Sequence, residues 1–250
     1  MELKVIAYAR NGHSDKFGIP RQSREESPIL TRIVFEPEYR VQEALRGIEG
    51  YSHLWIIWGF DKGERLKEKG EKGEWSPTVR PPRLGGNTRM GVFATRSPFR
   101  PNPIGLSSVR LVGIEGGDLI VSGADVLDGT PIYDIKPYLS FSDSHPDAQN
   151  GFAEQTKDYR LEVVWDQVND RQTSGKCLVH CLGSLGKRQV EVSLTVRREI
   201  EYILSQDPRP SYQDDPSRDY KLDYAGYTVT FTVDGQTVYV KKIEITEKKR

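Results

Sequence analysis

Three prolines within six residues restrict the conformations open to the middle of this chain. The segment Arg89–Ser107 has the sequence RMGVFATRSPFRPNPIGLS. Pro98, Pro101 and Pro103 each fix their own φ angle, and each disfavours the helical region for the residue that precedes it. We therefore predict a stiff loop, entered from a short apolar strand and left at Gly105, where the absence of a Cβ atom lets the chain turn into the next strand.

Arginine is concentrated around this loop. Between Glu74 and Glu115 the chain has no acidic residue and no lysine, but it has six arginines: Arg80, Arg83, Arg89, Arg96, Arg100 and Arg110. The planar guanidinium group suits bidentate contacts to phosphate or carboxylate, and local basic clusters mark polyanionic partners. A solvated charged face would more commonly mix lysine with glutamate. Because the formal net charge of the chain is +0, any contact with nucleic acid has to come from this local charge.

Short strands separated by glycine and proline dominate the first half of the chain. Apolar and β-branched runs predict strands at Leu3–Arg10, Ile29–Phe35, His53–Phe60, Arg89–Thr95, Leu106–Ile114 and Asp118–Val126. His53–Phe60 is apolar enough for a strand buried on both faces, Gly116–Gly117 is a hairpin turn, and Asp125–Tyr138 is interpreted as a turn-rich polar return. Helical spacing appears at Glu38–Arg46, and the Lys/Glu/Gly tract Asp61–Glu74 is predicted to be a surface insertion. This pattern predicts a mainly β fold built on a small barrel or sandwich.

The second part of the chain has a different composition. The change at Ser144–Thr156 marks a candidate domain boundary. Beyond it, the sequence predicts a strand at Tyr159–Val168 and a helix at Val190–Leu204, although β-branched residues weaken the helical preference. The chain ends in a predicted hairpin with its turn at Asp234–Gly235 and a β-bulge at Lys241–Lys242, where the alternation shifts phase.

Several classes of site lack their motifs in this sequence. The chain has no glycine-rich dinucleotide fingerprint after a strand and no P-loop. Its two cysteines, Cys177 and Cys181, have one nearby histidine, His180, which is too few ligands for a structural metal site. The sequence has no membrane-length apolar run and no targeting leader. We therefore expect a cytoplasmic protein with no metal and no membrane segment.

Acidic residues cluster in the segment DVLDGTPIYD, which contains Asp125, Asp128 and Asp134. They fit two roles: paired carboxylates for acid–base chemistry, or turn residues that hydrogen-bond their own backbone, as Asp128 would with the glycine that follows it. A stiff cationic loop, an acidic turn and flanking aromatic residues on a β scaffold fit the binding of a flexible anionic partner such as RNA. These features alone do not specify a reaction.

Four stretches of the chain carry a more specific resemblance. They are GVFATRSPFRPNPIGLS, YSHLWIIWGF, TVRPPRLGGN and DGTPIYDIKPYL. In these stretches the chain closely resembles the TrmO family, also called YaeB or TsaA-like. Members of this family are S-adenosylmethionine-dependent tRNA methyltransferases. The similarity is dense from Val5 to about Pro146 and resumes at QDPRPSY. It implies a single-sheet β-barrel domain at residues 1–146 that binds S-adenosylmethionine and catalyses the reaction. It also implies a smaller α+β domain at residues 147–250 that recognises tRNA and ends in the β-hairpin.

The resemblance also implies a reaction and its partners. Family members methylate the N6 atom of N6-threonylcarbamoyladenosine next to the anticodon (t6A37), giving its N6-methyl derivative (m6t6A), in tRNAs that read codons beginning with A. The resemblance also implies a homodimer with its sites near the subunit interface. We therefore expect S-adenosylmethionine as cofactor, the anticodon loop of such tRNAs as substrate, and a second copy of the chain as partner.

The family motifs identify candidate site residues in this sequence. The cofactor site would comprise Pro20, Arg21, Gln22, His53, Leu54, Arg96, Leu106, Leu127, Asp128, Gly129 and Thr130. Substrate or tRNA contacts are expected from Arg80, Arg83, Arg100, Asn102, Lys136 and Arg209, with Arg100 as the candidate for binding the threonyl carboxylate. The substrate N6 is a weak nucleophile, so its proton needs an acceptor, for which Asp128, Asp134 and Tyr138 are candidates. A mechanism that relies on positioning alone, with no general base, is equally compatible with the sequence.

Two other functions remain open at this point. One is a non-catalytic regulator that binds S-adenosylmethionine or RNA on the same barrel. The presence of both the cofactor segments and the C-terminal QDPRPSY segment argues against it. The other is a methyltransferase for a different nucleoside or a small metabolite, which would have no use for the C-terminal domain.

Overall fold

Six antiparallel strands form a closed barrel in the first half of the chain. The computed structural model describes residues 2–20, 22–24, 26–60, 76–81, 84, 88–165, 171–173, 176–183, 186–209, 213 and 215–246; the predicted insertion at Asp61–Glu74 lies outside them. The strands are β1 (Ala7–Arg10), β2 (Leu30–Phe35), β3 (His53–Gly59), β4 (Thr78–Val79), β5 (Met90–Gly91), β6 (Ile104–Glu115), β7 (Asp118–Ser122) and β8 (Pro131–Pro137). The barrel order is β1-β2-β7-β6-β3-β8, and β8 closes on β1 through the pairs Ile132–Ala7 and Pro131–Tyr8. The predicted barrel is confirmed.

Alternate residues of the barrel strands point into one hydrophobic core. In β3 the inward row is buried and the outward row is partly exposed: Leu54, Ile56 and Trp58 inward, His53, Trp55 and Ile57 outward. The prediction that this strand is buried on both faces was therefore wrong, because the barrel encloses only one face. Gly105 lies within β6, where a Cβ atom would overlap the Trp58 indole. Its lack of a side chain makes room for the largest ring of the barrel core.

The last barrel strand lies in a segment that looked too polar for it. The interpretation of Asp125–Tyr138 as a polar return was wrong from Pro131 onwards, because Pro131–Pro137 pairs with β3. Within this strand Ile132 is buried and pairs with the inward Trp58. The register then shifts by one residue, so that Asp134 pairs with the outward Ile57 and Lys136 faces outward as well. The polar composition reflects one solvated face of a strand rather than a loop.

Several other predicted elements are shorter in the structure. The strands predicted at Leu3–Arg10 and Asp118–Val126 are limited to Ala7–Arg10 and Asp118–Ser122. The strand predicted at Arg89–Thr95 is limited to Met90–Gly91 and continues as a 3₁₀ turn at Val92–Ala94. In place of a helix at Glu38–Arg46, the chain forms a 3₁₀ turn at Gln42–Leu45. This single turn already places its leucine against the barrel core, so the apolar spacing is satisfied without a longer helix.

The second half of the chain contains two further sheets, one short helix and one longer helix. The elements are α1 (Ser140–Asp143), β9 (Glu162–Val164), β10 (Arg171–Thr173), β11 (Lys176–Gly183), β12 (Gly186–Ser193), α2 (Leu194–Ser205), β13 (Tyr220–Tyr224), β14 (Tyr227–Asp234) and β15 (Thr237–Ile245). Strands β10-β11-β12 form one sheet, and β13-β14-β15-β9 form the other, in which β15 and β9 are parallel. The second sheet and α2 enclose a second hydrophobic core. No helix in the described part of the chain is long and apolar enough to cross a membrane.

The C-terminal hairpin agrees with its prediction. The register of β14 against β15 shifts between Thr230, which pairs with Lys242, and Phe231, which pairs with Val240. Lys241 is the additional residue on β15, so the predicted β-bulge is confirmed.

The predicted helix and strand that precede this hairpin start or end at other residues. Val190–Ser193 belong to β12, and Ser193 caps α2, since its Oγ accepts a hydrogen bond from Val196 N at 3.1 Å. The β-branched residues before this cap favour the strand. The strand predicted at Tyr159–Val168 is β9, which covers three of those residues.

The loop between β1 and β2 joins the barrel to the second core. Phe17 packs against the cluster formed by the second sheet and α2, and Ile29 is buried within it. Gly18 lies so close to Leu222 that a Cβ atom would overlap that side chain. A segment from the beginning of the chain therefore completes a core whose other members come from its end.

His13 is buried where this loop crosses the second sheet. It is 1% exposed, forms an isolated bridge with Tyr224, and packs edge-on against that ring with centroids 5.1 Å apart. The Tyr224 hydroxyl donates to Glu199 Oε2 on α2 at 3.1 Å. Burial lowers the pKa of His13 to about 4, so the folded protein holds this imidazole neutral.

Protonation of His13 should destabilise the protein at mildly acidic pH. The unfolded chain binds this proton with an ordinary pKa of 6.5, whereas the folded chain binds it near 4. The free energy of unfolding therefore falls as the pH falls through this window, by about 2 kcal/mol between pH 7 and pH 5. Urea unfolding of the wild type and of His13→Phe, which keeps a ring against Tyr224, measures this difference. An identical pH dependence in both proteins would contradict the prediction.

Candidate functional site

The chain between β5 and β6, residues 92–103, is here called the arginine–proline loop. It is fixed by hydrogen bonds of its own. Ser97 N donates to Thr95 Oγ1 at 3.3 Å. Arg100 folds back on the loop, where its Nη1 donates to the carbonyl groups of Thr95 at 3.1 Å and Ser97 at 3.4 Å. Arg96 and Asn102 are exposed. The loop is thus stiffened by one arginine and presents another to solvent.

Two of the other predicted cationic residues lie outside the described residues. These are Arg21 and Arg83. Arg80 follows β4 directly and is exposed.

The predicted cofactor turn Leu127–Thr130 is held at the end of β1. Gly129 N donates to the Ala9 carbonyl at 2.8 Å, and Asp128 N donates to the His13 carbonyl at 2.9 Å. Gly129 has a φ of +80°, in the left-handed region that favours glycine. The predicted turn at Asp128–Gly129 is therefore present. Its carboxylate is exposed and accepts a hydrogen bond from Asn11 N, rather than from the backbone of its own turn as predicted.

Asn11 holds this turn in place, although no sequence motif singles it out. Its Nδ2 donates to Thr31 Oγ1 at 3.2 Å and to the Val126 carbonyl at 3.0 Å. Its Oδ1 accepts from His13 N at 2.9 Å, and its backbone N donates to Asp128 Oδ1 at 3.2 Å. One side-chain amide thereby joins the start of β2, the loop after β1 and the segment that leads into the turn.

The predicted Pro-Arg-Gln segment runs beside β6. Pro20 is buried and Gln22 is exposed. The hydroxyl of Ser23 donates to the Ser108 carbonyl, beyond the point where β7 stops pairing with β6. Beyond the end of β7, a side-chain hydrogen bond from Ser23 therefore replaces the backbone pairing that β7 makes with β6.

The outer face of the barrel collects several other candidates. Register across β8, β3 and β6 places Lys136, Trp55 and Ser108 in one row and Asp134, Ile57 and Leu106 in the next. The Tyr138 ring lies 5.4 Å from Trp55 and 6.1 Å from His53, centroid to centroid. Leu106 is 55% exposed, so this face combines apolar, aromatic and charged side chains.

The side chains of two predicted cofactor residues are almost inaccessible to a ligand. Leu54 is fully buried toward the barrel core, and Thr130 is 5% exposed. Contacts from either residue would have to come mainly from backbone groups.

The three candidate proton acceptors lie in two places. Asp128 Oδ2 is 3.6 Å from Arg10 Nη1 beside the turn. Asp134 Oδ2 is 2.8 Å from Lys136 Nζ on the outer face, which it shares with Tyr138. Among the described residues, no three or more His, Cys, Asp or Glu side chains are grouped to hold a metal ion.

Two groups of predicted cofactor residues, His53–Leu54 and Leu127–Thr130, lie apart within one chain. His53 lies beside Tyr138 at the end of β8, since Tyr138 N donates to the His53 carbonyl at 3.0 Å. Leu127–Thr130 precede the start of the same strand. A strand of this length spans about 20 Å. The two groups are therefore separated by the length of β8.

A partly buried carboxyl group, that of Asp125, is hydrogen-bonded to the barrel wall. Trp58 Nε1 donates to Ser107 Oγ at 2.9 Å, and Ser107 Oγ donates to Asp125. Burial raises the pKa of Asp125, while the hydrogen bond from Ser107 and the positive charge of Arg96 oppose that rise. The sequence grouped Asp125 with the other acidic residues but gave no reason to separate it from them.

Arg209 is buried within the second part of the chain and does not lie on its surface. It is 6% exposed, and its Nε and Nη2 donate to the two carboxylate oxygens of Asp207 at 2.9 and 3.2 Å. Its guanidinium carbon lies 5.9 Å from the Tyr220 ring centroid. This geometry stabilises the loop after α2 and is not that of an exposed phosphate contact.

Two family models match the chain. The model of the tRNA-methyltransferase O N-terminal domain matches residues 8–144, and the model of the TrmO C-terminal domain matches residues 179–246. The chain belongs to the tRNA-methyltransferase O (TrmO) family. The family predicted from the motifs is thus confirmed.

Individual relatives agree with this assignment. The chain is 38% identical over 216 residues to the tRNA (adenine(37)-N6)-methyltransferase of Escherichia coli, covering 85% of this chain and 83% of that one. It is 40% identical over 219 residues to the putative S-adenosylmethionine-dependent methyltransferase RcsF of Pseudomonas aeruginosa, covering 87% and 86%. A crystal structure of TrmO from P. aeruginosa superposes with a TM-score of 0.72 and 32% identity over 98% of this chain and 97% of that one. The predicted enzyme class and its S-adenosylmethionine cofactor are therefore confirmed.

Removing the Asn11 amide should weaken the fold around the turn. Asn11→Ala leaves the Val126 carbonyl and His13 N without these partners, and the loss of such bonds costs about 1–3 kcal/mol of unfolding free energy. Asn150→Ala is the matched control, because that amide donates to Glu154 at an exposed site. Denaturant unfolding compares the two, and equal stability losses would contradict the assignment.

Proposed function

We propose that this protein transfers the methyl group of S-adenosylmethionine to the N6 atom of N6-threonylcarbamoyladenosine at position 37 of tRNAs that read codons beginning with A. The observation that carries the proposal is the match of both family models to one chain whose arginine–proline loop is stiff and faces solvent. The name of the E. coli relative places that protein's methylation at adenine 37. The threonylcarbamoyl group is the finer part of the proposal.

The side chains of the predicted cofactor site fit the chemistry of S-adenosylmethionine. S-adenosylmethionine supplies a methyl group bonded to a positively charged sulfur. On the side of the chain, the exposed apolar surface of Leu106 suits a purine ring. The exposed guanidinium of Arg96 suits the carboxylate of the methionine part, and the exposed Asp128 carboxylate suits a hydroxyl or ammonium group.

Substrate selection would depend on the same cations. The threonylcarbamoyl group carries a carboxylate that plain adenosine lacks. A site that pairs a cation with this carboxylate rejects the unmodified base, because the cation then loses its partner. Arg100 already donates to loop carbonyls, so it would offer its other N–H groups to the substrate. Arg96, Asn102 and Lys136 would supply further contacts.

The outer face offers the better-placed proton acceptors. Asp134 and Tyr138 share it with aromatic rings on which a base can stack, whereas Asp128 lies beyond the other end of β8. Asp134 is the carboxylate of this pair, and we assign it the role of accepting the N6 proton.

A homodimer with shared sites accounts for the two groups of cofactor residues. A separation of about 20 Å along β8 exceeds the reach of one nucleoside-sized ligand. A second copy would bring its own turn to the outer face of the first. The exposed apolar residues in and after the arginine–proline loop support such a contact: Phe93, Phe99, Ile104 and Leu106.

The division of labour follows the two parts of the chain. We assign the cofactor and the reaction to residues 1–146 and tRNA recognition to residues 147–250. A cytoplasmic location agrees with a tRNA substrate.

The decisive test uses one tRNA in two forms. Methyl incorporation from labelled S-adenosylmethionine is measured into an ANN-decoding tRNA with and without the threonylcarbamoyl group. We expect incorporation only into the modified form, at the N6 atom of residue 37. Equal incorporation into both would overturn the substrate assignment, and no incorporation despite cofactor binding would favour a regulatory protein.

The dimer makes a separate prediction. Leu106→Glu places a charge on the proposed contact and should convert a dimer into a monomer in light scattering, with loss of cofactor binding. Val112→Glu is the control, because Val112 lies further along the same outward row of β6 and is similarly exposed, at 47%. A wild-type chain that is monomeric in solution would exclude the shared site.

A further inference from the structure

Two adjacent carbonyl groups connect the cofactor turn to the second sheet. They belong to Gly12 and His13, in the loop that follows β1. The His13 carbonyl accepts the hydrogen bond from Asp128 N in the cofactor turn at 2.9 Å, and the Gly12 carbonyl accepts one from Ala225 N at 2.9 Å, directly after β13. Because this dipeptide is bound on both sides, a change in its position would be passed on to the turn.

The Tyr224 ring packs directly against the same dipeptide. Tyr224 is the last residue of β13 and is 2% exposed. A Cβ atom on Gly12 would lie 2.8 Å from Tyr224 Cζ, which is closer than a Cβ atom packs against another residue in folded proteins. The His13 imidazole lies edge-on against the ring, and the two residues form an isolated bridge. The ring thus contacts both residues and leaves no room for a side chain at Gly12.

The position of Tyr224 is set by the second part of the chain. Strand β13 pairs with β14 along its whole length, up to the pair Tyr224–Tyr227. The Tyr224 hydroxyl donates to Glu199 Oε2 at 3.1 Å, which fixes the end of the ring to α2. Next to it on β13, the Asp223 carbonyl accepts from Ser14 Oγ at 3.4 Å. Residues that follow the barrel therefore decide where the loop after β1 lies.

Other contacts of the cofactor turn come from the barrel and its first loop. Gly129 N donates to the Ala9 carbonyl on β1, and Asn11 N donates to Asp128 Oδ1 at 3.2 Å. The backbone N–H of Asp128 instead reaches the His13 carbonyl, in the segment that the second sheet holds. Asp128 is thus bound through its carboxylate by one residue of the loop and through its backbone by another.

We propose that Tyr224 is a positioning residue for cofactor binding, because it holds Gly12 and His13 where the His13 carbonyl binds the turn that contains Asp128. The role does not require Tyr224 to touch S-adenosylmethionine. The C-terminal part of the chain then supports cofactor binding before any tRNA is present, in addition to recognising tRNA. The proposal rests on the assignment of the turn to the cofactor in the proposed function.

Four variants separate the ring of Tyr224 from its hydroxyl group and from the stability of the second core. Tyr224→Leu removes the ring, whereas Tyr224→Phe keeps the ring against Gly12 and His13 and removes only the bond to Glu199. Gly12→Ala places a methyl group against the ring and displaces the dipeptide from the opposite side. Val240→Ala is the matched control, because Val240 is fully buried in the same core but lies on β15, which β14 separates from β13.

The affinity for S-adenosylmethionine is measured by calorimetry without tRNA, well below the temperature at which each variant unfolds. We expect Tyr224→Leu and Gly12→Ala to weaken binding on the order of tenfold, the factor that corresponds to the loss of one good hydrogen bond to the ligand. Tyr224→Phe should bind the cofactor as tightly as wild type. Val240→Ala should lower the unfolding temperature and leave the affinity unchanged.

Three outcomes would overturn the proposal. One is wild-type affinity in Gly12→Ala, which decides the question even if Tyr224→Leu does not fold. Another is an equal loss of affinity in Tyr224→Phe and Tyr224→Leu, which would exclude the ring as the group that holds the dipeptide. The third is a loss in Val240→Ala as large as that in Tyr224→Leu, which would show a general effect of stability.

This test is independent of the substrate assignment. Because cofactor binding is measured directly, a wild type that binds S-adenosylmethionine but does not methylate N6-threonylcarbamoyladenosine would contradict the proposed function and leave the role of Tyr224 open to the same comparison. A wild type that methylates this substrate, with unchanged affinity in Gly12→Ala, would contradict the role of Tyr224 alone.

Discussion

The side-chain amide of Asn11 is the interaction on which the arrangement of the site depends. It uses both amide hydrogens and its oxygen to connect β2, the chain before the cofactor turn and the loop that begins at His13. Each partner lies at an end of an element, where the regular sheet hydrogen bonds stop. In a closed barrel the strands stabilise one another, but nothing in the sheet itself fixes the segments at its mouth. Those segments carry much of the predicted site, so their order depends on side chains of this kind.

Arginine has two different uses in this protein. Arg100 and Arg209 donate to groups within their own loops, and the loops gain rigidity from these contacts. Arg96 and Arg80 are exposed and available to a ligand or to RNA. A loop that contains prolines and is closed by an internal guanidinium has little conformational entropy to lose on binding. The same residue type therefore prepares the surface and supplies its charge.

The sequence was most informative where a single physical pattern decides the outcome. Alternation predicted the strands of the terminal hairpin, and the shift of phase at Lys241–Lys242 located its bulge. The sequence pattern failed to predict β8, because Asp134 and Lys136 lie on the solvated face of a strand but are also typical of a loop. It also failed for the start of α2, where a capping serine within an apolar run marks a boundary that propensity alone does not locate.

Site residues were predictable to a smaller extent. The motifs identified the family and the segments that carry the candidates, including the cofactor turn. They did not distinguish the partly buried Asp125 from the exposed Asp128, and they gave no weight to Asn11 or His13. Whether a carboxylate is buried beside a serine depends on contacts between segments that lie far apart along the chain. Arg209 was predicted as a tRNA contact from the QDPRPSY segment, and its burial against Asp207 could not be foreseen from that segment alone.

The loop between β1 and β2 has a consequence for how this protein is made. Phe17 and Ile29 leave the ribosome among the first residues, but the core that receives them also needs Phe231 and its neighbours. At about 5–20 residues per second, roughly 10–40 s of synthesis separate the two events. During that time the barrel strands can pair while their connecting loop still exposes apolar side chains that have no place to pack. Nascent chains of this protein would therefore keep these apolar side chains exposed until translation is nearly complete.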